Sequence, residues 1–171
     1  MTILLPAMLL VLRSPFLFGY AKPVPVNFSA LRNPRRDMVF VAAAGPGINI
    51  ALAVAAALLL HLVGYLPGIS AQWVFENLKN ALIINAVLAV FNLLPLPPLD
   101  GGRIAVGLLP DSIALPLARL EPYGMVILIG VLFILPMIGA QLGLDFSIVS
   151  HVIAAAISGV VGVILWLTGF G

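Results

Sequence analysis

One acid stands where chemistry could be done. In Phe91-Asn92-Leu93-Leu94-Pro95-Leu96-Pro97-Pro98-Leu99-Asp100-Gly101-Gly102-Arg103, an apolar run meets three prolines and then a carboxylate. Proline lacks the amide donor and locks φ, so Pro95, Pro97 and Pro98 break any helix at that point. Gly101 and Gly102, directly after Asp100, can adopt backbone angles closed to other residues. A carboxylate at membrane depth costs on the order of 2.5–3.5 kcal/mol, so Asp100 needs a metal, a basic side chain or water. The plainer reading is a helix cap after a proline turn, with Arg103 three residues on as salt-bridge partner.

The rest of the chain explains why depth is the issue. The 171 residues are 63% hydrophobic and 8% charged, and mean hydropathy is +1.22. That composition specifies an all-α polytopic membrane protein rather than a soluble domain. Cysteine is absent, which excludes disulfides. No run of basic residues interleaves with stacking aromatics, so nothing points to nucleic acid.

Residues 1–171 read as a single membrane-embedded domain with the lipid bilayer as its first partner. Residues 1–12 are apolar, but twelve helical residues cover about 18 Å against a core of about 30 Å. They read as part of a span or as a short interfacial helix. Residues 13–37 form a polar loop with Arg13, Lys22, Arg32, Arg35 and Arg36. Within it, Lys22-Pro23-Val24-Pro25-Val26-Asn27-Phe28 alternates, and its prolines suit a short β-ribbon at an edge.

Spans are expected at 38–63, 81–98, 121–139 and 148–170, with loops at 64–80 and 110–119. Ala154, Ser158 and Gly162 recur every four residues and predict a small-residue packing stripe. Asn49, after Ala44-Gly45-Pro46-Gly47-Ile48, is expected to face protein rather than lipid. With loop 13–37 in the cytoplasm, loop 99–121 follows it there. Seven basic residues then lie inside and only Lys79 outside. Irregular backbone at depth survives only beneath protein or beside a water-filled cavity. The sequence therefore predicts a buried polar pocket at the proline break.

Asn92-x-x-Pro95-x-Pro97-x-x-Asp100-Gly101 resembles the second signature of the site-2 protease family, peptidase family M50, of intramembrane zinc metalloproteases. Two further pieces resemble its compact bacterial and archaeal branch. They are Gly19–Asn27 with Arg32-Asn33-Pro34-Arg35 behind it, and Ala44–Asn49.

The resemblance implies a Zn2+ cofactor, transmembrane protein substrates and a prokaryotic cell membrane. It implies Asp100 as the third metal ligand, after two ligands and a general base from a His-Glu-x-x-His helix. Three protein ligands leave a fourth position for water, whose pKa zinc can lower to around 7. It also implies that Asn92, Pro95, Pro97, Gly101 and Asn49 line the site. An unwound substrate segment would add as a strand to the ribbon carrying Lys22, Val24 and Val26.

The chain departs from this pattern at one place. Its histidines are His61 and His151, and neither begins His-Glu-x-x-His. No complete catalytic set is expected within these residues. The missing ligands are expected from an upstream segment, and the chain alone is expected to be inactive. Two alternatives share the features: a non-catalytic helix-binding pseudoprotease, and a small transporter or channel subunit, where broken helices and buried acids also occur.

Overall fold

The computed structural model describes residues 33–142 and 148–170, which belong to one compact unit. The expected partial span at 1–12 and the ribbon at 22–28 lie outside the described residues. Among those described, the chain is helical and no strand occurs.

Helix α1 is Pro34–Leu60. Proline at its first position is preorganised for a helix and has no donor to leave unpaired. The Asp37 carboxylate reaches back to accept the Asn33 amide at 3.2 Å, and an acid suits this positive helix end. Pro46 lies inside α1 and removes one rung of its ladder. A 3-10 turn at Val63–Tyr65 leads to α2, Gly68–Asn92. The segment 68–80, expected as loop, is helical and carries α2 back from its first residue.

The helices α1 and α2 form an antiparallel pair held by very small residues. Ala53, Ala57, Ala86 and Ala89 are wholly buried. In lipid there is no water to drive helices together, so close backbone approach matters more than bulk. α7, Ile148–Leu167, lies against this pair. Its Ile164 joins Ala53, Ala56, Ala57 and Leu82 in the core, with Val160, Val161 and Leu165 beside it.

The face expected to pack does not. Ala154, Ser158 and Gly162 are exposed, and a Cβ on Gly162 would meet nothing. The alanines of α1 and α2 leave a groove, and a large aliphatic side chain fills it where a second row of small ones would leave a void. At the end of α7, His61 Nε2 lies 2.6 Å from the Thr168 carbonyl. The His61 ring stacks on Phe170 with centroids 4.2 Å apart. The Thr168 hydroxyl, buried, donates to the Ile164 carbonyl at 2.8 Å.

Two short helices follow the proline break: α3, Asp100–Leu108, and α4, Asp111–Arg119. The residues from 111, expected as loop, are helical because Pro110 stands just before the helix and Asp111 fills its first turn. A 3-10 turn at Glu121–Tyr123, then α5 (Gly124–Ile129), a π-turn (Gly130–Ile134) and α6 (Leu135–Leu142) complete the order. Among the described residues, four stretches are long and apolar enough to cross a membrane: Pro34–Tyr65, Gly68–Asn92, Asp111–Gly139 and Ser150–Leu167.

Candidate active site

The proline break is a closed turn rather than frayed chain. Its prolines have no donor to orphan, and each remaining amide is used. Leu93 donates to Ala89 at 3.1 Å, Leu94 to Phe91 at 3.1 Å, Leu96 to Leu94 at 2.7 Å and Leu99 to Leu96 at 2.9 Å. A helix ending in lipid normally strands polar backbone, and here proline substitution at three of seven positions after Asn92 removes the problem. Pro97 is buried and the Pro97–Pro98 bond is cis.

The start of α3 is pressed onto this turn. Gly101 and Gly102 are both buried. A Cβ on Gly101 would overlap the Leu93 and Leu94 carbonyls, and one on Gly102 would overlap the Leu96–Pro97 peptide. Absence of a side chain at these two positions is therefore what fixes Asp100 immediately above the break.

Asp100 does not cap α3. Leu99 occupies the cap position and makes no side-chain bond, and Asp100 is the first helical residue. Arg103, expected as its partner, turns to Glu121, with Nη2 3.1 Å from Oε1. The Asp100 carboxylate lies instead over α1 at Gly45. A Cβ there would come within 2.6 Å of Oδ2, so any larger residue would push the carboxylate aside. Asp100 is half-buried. Among the described residues no hydrogen bond or ion pair reaches it.

The other described acids are all engaged. Asp37 accepts from Asn33, Glu76 lies 3.8 Å from Lys79, Asp111 2.7 Å from Arg35, and Glu121 pairs with Arg103. Arg35 does more than pair. Its guanidinium also donates to the carbonyls of Gly107 at 3.1 Å, Val106 at 3.4 Å and Leu109. It thus closes the C-terminal end of α3, where carbonyls are left without partners and a cation is favoured. One side chain on α1 ties down the far end of the helix whose first residue is Asp100.

The remaining expected site residues divide. Asn49 is one turn beyond Gly45 on α1, on the row Ala42, Pro46, Asn49, Ala53 that faces the protein. Asn92 is the last residue of α2. Both amides are half-buried, and no described residue bonds to either side chain. Pro95 is exposed at the turn, and Pro97 and Gly101 form its packed floor. Lys22, Val24 and Val26 lie outside the described residues.

Gly45 and Arg35 lie within the motifs Ala44–Asn49 and Arg32-Asn33-Pro34-Arg35 and are not among the expected site residues. The four-residue spacing of Gly45 and Asn49 was a legible sign that both share one helix face. Nothing in the spacing joins Arg35 to Asp111.

A zinc site needs three protein donors of the right type. Among the described residues no group of three or more His, Cys, Asp or Glu side chains could hold a metal. Residues 1–32 contain none of these four types. His61 is spent on Thr168 and Phe170, and His151 is engaged. The described residues do not by themselves form a zinc centre.

Residues 61–137 match the family model for Peptidase family M50, a range that includes the proline break and Asp100. Over 125 residues the chain is 38% identical to YwhC of Bacillus subtilis (strain 168), which is named as a candidate zinc metalloprotease. The match covers 70% of this chain and 56% of YwhC, so the chain spans little more than half the length of this curated relative. No solved structure matches it significantly.

Proposed function

The chain belongs to peptidase family M50, the site-2 proteases, and from that premise we propose that it carries the Asp-bearing part of an intramembrane zinc metalloendopeptidase. Its four apolar helices and its family fit an integral membrane protein. In the proposed enzyme Asp100 is one of three zinc ligands, and the other two and the general base come from outside these 171 residues. Asn49 and Asn92 line the cleft and bind unwound substrate backbone. The Arg35 and Arg103 end of the bundle faces the cytoplasm, by the excess of basic residues there.

The observation that carries this reading is the state of Asp100. It sits at a broken membrane helix, half-buried, without a partner among the described residues, while a guanidinium three residues away is held by Glu121. A carboxylate kept free at that depth is costly unless something is to bind it.

The test is cleavage of a transmembrane substrate by this chain joined to a segment bearing His-Glu-x-x-His. Cleavage that falls to background in Asp100→Ala supports the assignment. Cleavage that survives Asp100→Ala contradicts it. The chain alone is expected to be inactive.

The incomplete donor set favours one second reading, a helix-binding pseudoprotease. Capture of the same substrate without cleavage, unaffected by Asp100→Ala in the joined chain, would favour it over the protease.

A further inference from the structure

Asp100 stands one helical turn from a guanidinium and does not use it. Asp100 and Arg103 are the first and fourth residues of α3. Residues three apart share a helix face, with Cβ atoms about 5–6 Å apart, and an acid placed before a base is the favourable order. Local spacing alone would pair the two. Instead Arg103 Nη2 lies 3.1 Å from Oε1 of Glu121, on another element. Arg35 is committed to Asp111 and to the carbonyls at the far end of α3, and Lys79 lies beside Glu76. Arg103 is thus the described cation on Asp100's own helix face.

The placement of Glu121 decides the pairing. Glu121 opens the 3-10 turn that runs directly into α5 at Gly124. Gly124 is buried, and a Cβ on it would overlap the Pro97 carbonyl and the Pro98 ring. The start of α5 is therefore seated on the proline turn, backbone against backbone. Side chains three apart eclipse in a 3-10 turn, so Glu121 lies on the side that Gly124 presses onto the break. Stability does not account for the pair. Its side chains are 46% and 48% exposed, and such pairs add little. What the pair changes is which acid the guanidinium serves. An arginine on Asp100 would occupy both carboxylate oxygens with its fork of donors.

We propose that Glu121 is a positioning residue for the site: it holds the Arg103 guanidinium off Asp100 and so keeps that carboxylate open. The inference deepens the proposed function and rests on it for the use of an open carboxylate. The contact itself belongs to this chain's own residues.

The experiment is limited labelling of the full chain in detergent with a carbodiimide and an amine, with no metal added. The modified fraction of Asp100 is read by peptide mass spectrometry, with Glu76 as internal standard. Glu121→Gln releases Arg103 to Asp100 and should lower labelling there about threefold, the scale of one half-exposed ion pair. Adding Arg103→Gln to Glu121→Gln should return labelling to the level of the unaltered chain. A merely structural Glu121 would leave the double variant no better than the single one. Unchanged labelling in Glu121→Gln, or no recovery in the double variant, overturns the proposal. Because no metal enters, that failure leaves the role of Asp100 in the proposed enzyme standing. Labelling in the expected order, with cleavage by the joined chain surviving Asp100→Ala, supports the contact and faults the enzyme reading alone. Arg103 and Glu121 are half exposed, so the variants fold, and circular dichroism checks them.

Discussion

The two ends of the α1–α2 pair handle polar groups in opposite ways. At the His61 end every described polar group near the core is closed off by its own chain. His61 meets the Thr168 carbonyl, and the Thr168 hydroxyl turns back to Ile164. At the Asp100 end the amides of the proline turn are satisfied, but three side chains are not. Asp100, Asn49 and Asn92 are half-buried without a bond among the described residues. On the function proposed above, the end without these bonds is the one that takes a ligand.

The largest effect should come from the contact that sets Asp100 in place. Gly101→Val drives a branched side chain into the Leu93 and Leu94 carbonyls. It should destabilise the fold by about 3 kcal/mol or more, read by denaturant titration in detergent micelles. A loss under 0.5 kcal/mol would mean that the break is soft and Asp100 is not held.

Next is Arg35→Ala, which removes the clamp on Val106, Gly107, Leu109 and Asp111. Because Arg35 is half exposed, the expected cost is about 1–2 kcal/mol. Hydrogen exchange should speed up in α3 and α4 and not in α7. Uniform acceleration would show that the two ends are one cooperative unit.

At the closed end, His61→Ala removes one ring stack and one hydrogen bond, worth about 1 kcal/mol. Fraying should stay within the last turn of α7. The smallest effect is expected for Ala154→Val on the exposed face of α7, within about 0.5 kcal/mol. A cost of 2 kcal/mol there would restore the small-residue stripe as a packing face.

Much of this was readable from the residues. The helical, membrane-spanning character of the described residues follows from a sequence that is 63% hydrophobic, and the break at 95–98 follows from proline chemistry alone. Asp100 stood out because acids are expensive in lipid. Three things were not readable, each for a physical reason. The polar stretch 68–80 reads as loop by hydropathy, yet Gln72, Glu76 and Lys79 are good helix formers, and α2 takes them in.

The choice of Glu121 over Asp100 by Arg103 depends on where the 3-10 turn after α4 brings Glu121. That is set by tertiary packing and not by the three-residue spacing of Asp100 and Arg103. The stripe on α7 has the correct period, but periodicity cannot tell which of two faces meets a partner. The alanines on α1 and α2 decide it in favour of Ile164.

One measurement bears most directly on the account: zinc content of the purified chain joined to a His-Glu-x-x-His segment, compared with its Asp100→Ala variant after identical dialysis. The prediction is close to one zinc per chain in the first and at least tenfold weaker retention in the second. Equal zinc in both would contradict the assignment and leave Asp100 without the role given to it.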